Sequence, residues 1–390
     1  MGNRNLQAAL HGKILQLIIF PTEKCNFRCT YCYETFEVGR MKRGTIEGIK
    51  KLIEARVNRD SLDVLNLSWF GGEPLLAREI VFEISGFAKH LLDGGRLKAL
   101  SGETTTNGYL LSEPTLRRMV ENRQATYQIS LDGYRAGHDV TRRYASGKGT
   151  FDVIWGNLRM AKCTDLEFSI TLRLHLTPIN ERSMCELVDH ICEEFGHDRR
   201  FNVFFKPIEN LGGPHSKDIP AMDKAVATER VRRATEQLNA VGLTCDAVID
   251  GPESKKGASS KGDEFEAAHR GTSTASNDAT PPAFNGYICY AAKPNSLIVR
   301  ADGSVGKCTV LLEDPRNRVG MLNPNGTVTL DQDLMNLWMR GFKTFDPMEL
   351  GCPAQSLPAI PLELPIKLDR LIGRTVRTAR QAVVAKTVGT

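Results

Sequence analysis

Strand-like and helix-like segments alternate over the first half of the chain, and this alternation restricts the fold more than any other feature of the sequence. Six short apolar runs are separated by segments whose apolar residues recur at helical spacing. Such alternation is typical of an α/β protein with a parallel sheet, whose functional residues lie at the carboxyl ends of the strands. The predicted strands are 14–20, 64–70, a third strand that ends with 103–106, 125–131, 167–174 and 201–205. The predicted helices are 43–57, 76–92, 112–122, 150–161, which follows a long loop, and a helix capped by Asn180 and ended by Gly196.

Three cysteines follow the first predicted strand directly. Cys25, Cys29 and Cys32 lie within eight residues, so their thiolates can converge on one soft metal centre. A structural zinc site needs four closed ligands, and no fourth Cys or His lies nearby. An iron–sulfur cube held by three thiolates instead keeps one iron open for chemistry. The loop therefore indicates an iron–sulfur centre. The alternatives are a zinc site completed from a distant part of the chain, or three cysteines that bind no metal.

Polar motifs accompany the later predicted strands. The glycines of a Gly-Gly-Glu-Pro segment let the backbone approach a small ligand, and its glutamate offers a carboxylate to a cation. Hydroxyl, amide and carboxylate groups at the ends of the third and fourth strands can bind a ribose diol or an α-carboxylate, or can simply cap their loops. An arginine central in the fifth strand needs an anion, which is either a ligand or an internal salt-bridge partner. These motifs are Gly71–Pro74, Thr105–Gly108, Ser130–Gly133 and Arg173.

The cysteine loop, with an aromatic residue before its last cysteine, resembles the cluster loop of the radical S-adenosylmethionine (radical SAM) superfamily. The GGEP, TTNG and SLDG motifs resemble segments of its peptide-modifying members, and the run 138–143 matches the usual sequel of SLDG, where its expected role is to cap the next helix. The resemblance implies a partial, six-unit (β/α) TIM-like barrel over about residues 13–215. It also implies S-adenosyl-L-methionine as cofactor and a 4Fe-4S cluster whose open iron is chelated by the methionyl amino and carboxylate groups.

The same resemblance assigns the site residues. The cluster ligands are Cys25, Cys29 and Cys32. The GGEP loop is expected to hold the methionyl ammonium, and Tyr31 either packs against the adenine or fills the underside of the loop. The full set of expected cofactor-binding residues is Tyr31, Gly71, Gly72, Glu73, Pro74, Thr106, Asn107, Ser130, Asp132 and Arg173.

A second group of cysteines lies nearer the end of the chain. Cys289 precedes Gly303 and Cys308, and the segments 296–300 and 304–307 predict a hairpin turned at 301–303. This pattern resembles the first half of the SPASM or twitch extension, which holds auxiliary iron–sulfur clusters. In the rest of that pattern only Cys352 stands in place, and Gln355, Pro361 and Pro365 occupy the next expected cysteine positions. The sequence thus predicts a small, degenerate auxiliary domain with at most one auxiliary iron–sulfur cluster, held by Cys289, Cys308, Cys352 and an unidentified fourth ligand.

The expected domain organisation follows from these motifs and from the composition between them. The barrel (13–215) is followed by a helical connector (216–251), a disordered linker rich in Ser, Gly, Thr, Asp and Lys (252–283), the auxiliary domain (284–365) and a basic helical tail (366–390). The tail is either a solvated helix or a contact surface for an acidic partner. A chain of 390 residues exceeds what one hydrophobic core usually supports, which fits a large domain with a smaller one.

Composition excludes several other classes of protein. The net charge of +5 is too small to indicate nucleic-acid binding, and neither a signal peptide nor an apolar run long enough for a membrane span is present. We therefore expect a cytoplasmic protein with no membrane partner. Its ten cysteines are not expected to form disulfides there, and Cys163, Cys185, Cys192 and Cys245 are expected to be small buried residues.

The predicted function is that of a radical SAM enzyme acting on a peptide or protein substrate, with an electron donor such as flavodoxin or ferredoxin as its second partner. Within this class we expect a maturase of ribosomally made peptides (RiPPs). A sulfatase-maturase-like enzyme is the alternative, and the missing cysteines count against it. A non-catalytic iron–sulfur or zinc module is the alternative of another class. It has no need of a pocket for methionyl, ribose and adenine groups together, so the set of strand-end motifs favours the enzyme.

Overall fold

The computed structural model describes residues 9–208, 222–248 and 287–358. In these ranges the strands, numbered in chain order, are β1 (Ile14–Ile19), β2 (Phe27–Cys29), β3 (Val64–Trp69), β4 (Ala99–Thr106), β5 (Thr126–Leu131), β6 (Arg142–Tyr144), β7 (Ser169–Leu176), β8 (Phe201–Pro207), β9 (Thr244–Ala247), β10 (Ser296–Val299), β11 (Ser304–Gly306), β12 (Gly320–Leu322) and β13 (Val328–Leu330). The α-helices are Arg43–Asp60, Arg78–Asp93, Glu113–Glu121, Ala136–Thr141, Phe151–Lys162, Glu181–Phe195, Lys224–Ala240, Gln332–Trp338, Gly341–Thr344 and Pro347–Gly351, with short 3-10 turns at Pro74–Ala77, Pro315–Asn317 and Pro353–Ser356.

All six predicted strands are present, as β1, β3, β4, β5, β7 and β8, and they pair in parallel in that order. Helices connect them, which confirms the predicted α/β class. β4 runs from Ala99 to Thr106, so the third strand ends where it was predicted to end, and its first residues pair with β3. Since parallel strands end at the same edge, the predicted motif loops lie along one edge of the sheet.

The two faces of this sheet differ in polarity. One face carries apolar side chains that alternate along the strands and pack under the helices, such as Leu65, Leu67 and Trp69 of β3, all of which are buried. The alternate positions carry polar side chains that hydrogen-bond from strand to strand, for example Asn66 Nδ2 to Ser101 Oγ at 2.9 Å. Because the helices cover the apolar face, the polar face lines the inside of the partial barrel.

Both edges of the sheet extend beyond the six predicted strands. β9 adds a parallel strand next to β8. At the other edge β10 pairs in parallel with β1, and β11, β12 and β13 continue the sheet in antiparallel order. The predicted hairpin is present as β10 and β11, with Gly303 at a φ of 89° in its turn. The C-terminal region is therefore bonded directly to the first strand of the barrel.

The predicted long loop after the fourth strand is the part of the barrel that sequence reasoning described wrongly. It contains a short helix, Ala136–Thr141, and the strand β6, which pairs antiparallel with β2 of the cysteine loop. In this ribbon Cys29 stands opposite Arg142. Three-residue strands leave no periodic signal in a sequence, so only the tertiary pairing reveals them.

Three other expectations can be compared with the described residues. Cys163 and Cys185 are exposed and Cys192 and Cys245 are half-buried, so the expectation that all four are buried was wrong; none of the ten cysteines forms a disulfide. No helix in the described ranges is long and apolar enough to span a membrane. The predicted linker 252–283, the tail 366–390, Pro361 and Pro365 lie outside the described residues.

Candidate cofactor site at the strand ends

The cysteine loop follows β1 and contains β2, which is fixed by its antiparallel pairing with β6. Cys25, Cys29 and Cys32 are half-buried, and the Cys25 Sγ accepts a hydrogen bond from the backbone N–H of Phe27 at 3.3 Å. Burial, and then the charges of neighbouring groups, raise the pKa of Cys25, while burial raises that of Cys32 to about 12. Burial thus disfavours the thiolate form of these cysteines, and a bound metal restores it by supplying positive charge.

The GGEP loop lies directly against the chain that leads into the cysteine loop. The backbone N–H of Glu73 donates to the carbonyl of Lys24 at 3.0 Å. Gly71 has a φ of 113°, and a Cβ at this position would stand 2.3 Å from the carbonyl oxygen of Thr22. A Cβ on Gly72 would stand 2.6 Å from the Lys24 carbonyl oxygen. Both glycines are therefore required for close backbone packing between the first two strand-end loops.

Glu73 links the GGEP loop to the TTNG loop. Its side chain is completely buried, at 0% exposure. Its Oε1 accepts hydrogen bonds from the Thr106 hydroxyl at 2.8 Å and the Leu75 backbone N–H at 2.9 Å, and its Oε2 accepts one from the Asn107 backbone N–H at 2.7 Å. Burial raises the pKa of Glu73, and these three hydrogen bonds oppose that shift. The carboxylate thus joins two loops of the protein.

Asn107 completes the connection to the cysteine loop. Its side-chain amide donates to Asn26 Oδ1 at 2.8 Å and stands 3.9 Å from Cys25 Sγ, while its Oδ1 accepts the backbone N–H of Tyr109 at 3.0 Å. The TTNG residues Thr106 and Asn107 therefore lie within the site, and their side chains are engaged in holding the loops together.

Asp132 of the SLDG motif is the centre of a second buried network, and only 1% of it is exposed. Its Oδ1 accepts hydrogen bonds from Tyr31 Oη at 3.0 Å and His175 Nδ1 at 2.9 Å, and its Oδ2 accepts one from Thr141 Oγ1 at 2.6 Å. Burial would raise the pKa of Asp132, but the hydrogen bond from His175 and the charges of His175 and Arg142 lower it below its ordinary value. Asp132 thus fixes the side chain of Tyr31, which belongs to the cysteine loop.

Arg142 is a site residue that sequence reasoning missed. Its guanidinium is buried, donates from Nη1 to Tyr31 Oη at 2.8 Å and lies 5.9 Å from the ring centroid of Phe27. The Nε has no hydrogen-bond partner among the described residues. Buried cations are normally paired, so this group is suited to an anion that enters beside Cys29, its partner in the ribbon. The sequence gives no signal for this role, because the segment between Ser130 and Arg142 is predicted to be a loop.

The remaining predicted residues lie on β5, β7 and the loop after β7. Ser130 and Arg173 are opposite each other in the register of these strands, on the polar inner face of the barrel. Asn180 stands at the N-cap position of its helix but makes no capping bond there. Its amide instead donates to the carbonyls of Asp132 and His175, each at 2.8 Å. The predicted cap is corrected accordingly: Asn180 ties the fourth and fifth strand-end loops together.

The second group of cysteines is brought together from distant parts of the sequence. Burial raises the pKa of Cys308, and the nearby Cys352 raises it further. The pKa of Tyr290 is raised first by burial and then by the charges of Cys308 and Cys289. Asn317 fixes the Cys308 loop, since its Oδ1 accepts the backbone N–H of Cys308 at 2.8 Å and its Nδ2 donates to the Cys308 carbonyl at 2.7 Å. The Cys289 N–H donates to the carbonyl of Leu350 at 2.8 Å, which anchors the segment that carries Cys352.

The three cysteines of the first group are arranged in a way that suits the ligands of an iron–sulfur cluster. Among the described residues, no three His, Cys, Asp or Glu side chains surround one point closely enough to hold one metal ion. The ligands of a four-iron cube bind different irons, so they stand apart around the cube. The pKa of Cys25, raised first by burial, is also raised by the charges of Cys29 and Cys32, as expected for three thiols that face a common space.

Comparisons with known proteins place this site in a family. The radical SAM superfamily model matches residues 19–191. A cysteine-type anaerobic sulfatase-maturating enzyme of Clostridium novyi is 29% identical over 213 residues, which are 52% of this chain and 54% of that enzyme. A GTP 3′,8-cyclase of Aliarcobacter butzleri is 28% identical over 209 residues, which are 53% of this chain and 58% of that enzyme. The match thus spans a little over half the length of these curated relatives.

Two solved structures share the fold. The anSMEcpe structure with bound AdoMet and a peptide has a TM-score of 0.56 and 20% identity, over 82% of this chain and 80% of that chain. Streptococcus suis SuiB bound to precursor peptide SuiA has a TM-score of 0.56 and 17% identity, over 86% of this chain and 69% of that chain. The family match covers the cysteine loop, the GGEP, TTNG and SLDG motifs and Arg142. Residues 19–191, which carry the candidate site, thus match the radical SAM superfamily.

Proposed function

We propose that this protein cleaves S-adenosylmethionine reductively and modifies a side chain of a peptide, with a ribosomally made precursor peptide as the substrate class. The observation that carries the proposal is the convergence of Cys25, Cys29 and Cys32 with Glu73 and Arg142 at one edge of the sheet. When bound there, a 4Fe-4S cluster and S-adenosylmethionine supply an electron and a 5′-deoxyadenosyl group that takes hydrogen from a substrate. An electron donor such as flavodoxin or ferredoxin and a cytoplasmic location belong to the same proposal.

The chain's own residues bind and orient these groups. Arg142 offers its buried, incompletely paired guanidinium to the methionyl carboxylate, since it lies next to Cys29 in the ribbon. Glu73 and Asn107 hold the GGEP and TTNG loops against the cysteine loop, so that backbone carbonyls of the GGEP loop can face the methionyl ammonium. Ser130 and Arg173 on the inner face of the barrel are in place for the ribose and the substrate.

A peptide substrate is supported by the second group of cysteines. Cys289, Cys308 and Cys352 gather at the region that β10 attaches to β1, so a cluster there would stand at the side of the same barrel. Such a cluster could accept an electron after bond formation or bind a substrate thiolate. Both structural neighbours described above were solved with peptides, and the identity of the substrate here is part of the proposal.

A sulfatase-maturase-like activity is the second candidate, because the Clostridium novyi relative carries that activity in its name. The two candidates differ in the substrate rather than in the cleavage of the cofactor. Anaerobic co-expression with a short peptide encoded beside the gene, followed by mass spectrometry, separates them. A mass loss of two hydrogens or a cross-link in that peptide supports the first candidate. A formylglycine in a sulfatase peptide, with the short peptide unchanged, supports the second.

A further inference from the structure

A cavity of about 230 Å³ lies between the residues that follow Cys32 and the residues that follow Cys308. One wall is Tyr33–Phe36 and the other is Val310–Asp314, with Glu23 at its base. A space of this size accommodates one long side chain rather than a whole small-molecule ligand, which usually needs roughly 300 Å³ or more. The cavity lies beside the segments that directly follow Cys32 and Cys308.

Glu34 is the unexplained group in this cavity. It is a buried side chain with 8% exposure, and its Oε2 has no hydrogen-bond partner among the described residues. A buried carboxylate oxygen without a partner costs free energy, so it is normally paired or hydrogen-bonded. A ligand that brings donors to Glu34 would remove this cost.

The other acids around the cavity already have cationic partners. Arg300 binds both carboxylate oxygens of Glu23, at 3.0 and 2.6 Å, and reaches Glu313 at 3.2 Å. Asp314 pairs with Arg316 at 2.5 Å. Within the described ranges Glu34 is the lining acid for which no ion pair is found. The Arg300–Glu23 pair also joins the two edges of the cavity, because Glu23 follows β1 and Arg300 follows β10.

We propose that this cavity binds a basic side chain of the peptide substrate, with its cationic head on Glu34. The inference rests on the proposed function, since it assigns a sequence feature to the peptide. A guanidinium or ammonium supplies both N–H donors and a positive charge to pair with the Glu34 carboxylate. The apolar walls formed by Leu311 and Leu312 suit the methylene stem of such a side chain. A basic residue held here fixes the peptide beside the Cys32 and Cys308 loops and thus selects which neighbouring residue reaches the barrel.

The test uses N-acetyl-arginine methylamide and its neutral isostere N-acetyl-citrulline methylamide as probes, titrated into the full-length protein and followed by ligand-observed NMR. We expect the arginine probe to bind roughly 10- to 100-fold more tightly, as for one charge-assisted hydrogen-bonded pair. Glu34→Gln should remove this preference. Glu37→Gln, which changes an exposed acid three residues away and outside the cavity, should keep it.

A second variant guards against an indirect effect of the first. Leu311→Trp fills the cavity and leaves Glu34 in place, so it should also lose binding of the arginine probe. Equal binding of the two probes, no binding of either, or an unchanged preference in Glu34→Gln would overturn the inference. Formation of 5′-deoxyadenosine by the unaltered protein is measured separately. If the protein cleaves S-adenosylmethionine but binds the two probes equally, this inference alone is overturned. If it prefers the arginine probe but does not cleave S-adenosylmethionine, the proposed function alone is overturned.

Discussion

The two groups of cysteines are built in different ways. Cys25, Cys29 and Cys32 come from one loop, which Glu73 and Asp132 fix through buried hydrogen bonds from neighbouring strand ends. The second group comes from three separate segments that are aligned by the β10–β11 hairpin and by Asn317. The first group has a buried cation, Arg142, beside it, where an anionic ligand can enter. This difference fits our proposal that the first group serves cofactor cleavage and the second a later step of the reaction.

The largest expected effect is on the first group. Cys29→Ala should abolish the formation of 5′-deoxyadenosine, because one of three thiolate ligands of the cluster is lost. The measurement is chromatography of the products after anaerobic reconstitution and reduction with dithionite. Cys185→Ala, which changes an exposed cysteine on the helix Glu181–Phe195, is the matched control and should retain full activity. Full cleavage by Cys29→Ala would assign the cluster to other residues.

Loss of the second group should separate cofactor cleavage from product formation. The reconstituted protein should hold about eight irons per chain for two cubane clusters, and the Cys289→Ala, Cys308→Ala double variant about four. The double variant should still form 5′-deoxyadenosine but give no modified peptide. Four irons in the unaltered protein would show that the extension binds no metal, and twelve would show that ligands outside this pattern take part.

Glu73→Gln should have a smaller effect on both stability and cofactor binding. The amide nitrogen cannot accept hydrogen bonds, so either the Asn107 N–H or the Thr106 hydroxyl faces another donor. We expect a loss of about 1–3 kcal/mol in the free energy of unfolding by urea, with weaker binding of S-adenosylmethionine. Glu113→Gln on an exposed helix start is the control. Unchanged stability would mean that Glu73 does not join the two loops.

The smallest effect concerns the pH dependence of stability. Burial lowers the pKa of His138 to about 4, below its ordinary value of 6.5. As the pH falls from about 6.5 to about 4, the unfolded chain binds a proton that the folded chain does not, so stability decreases. His138→Gln should reduce this slope by up to about 1.4 kcal/mol per pH unit, and the exposed control His90→Gln should not. Urea denaturation at several pH values measures it, and equal slopes for His138→Gln and the unaltered protein would contradict the assignment.

The sequence predicted those features that have a local signal. Apolar runs identified six strands, and short motifs located the loops that follow them. β9 was missed because the four residues Thr244–Ala247 have no apolar alternation. The parallel pairing of β10 with β1 joins residues 280 apart, as in the hydrogen bond from Ser296 to Gln16, and local periodicity carries no information on it.

The candidate site shows the same division. The cysteines and glycines were identified because their chemistry restricts them individually. The roles of Asp132 and Arg142 depend on Tyr31, which lies 101 and 111 residues away in sequence. Glu73 was expected to contact a ligand, and its burial against Thr106 and Asn107 became visible only in the folded chain. Residue type thus indicated where the site lies, while the partners of each side chain required the tertiary structure.

The most direct test of the account is electron paramagnetic resonance of the dithionite-reduced Cys289→Ala, Cys308→Ala double variant, with and without S-adenosylmethionine. In this variant the first cluster is the only one expected, so its signal can be observed alone. The account predicts the signal of a reduced 4Fe-4S cluster whose shape changes when S-adenosylmethionine binds its open iron. A signal that S-adenosylmethionine leaves unchanged, or the absence of any cluster signal, would contradict it.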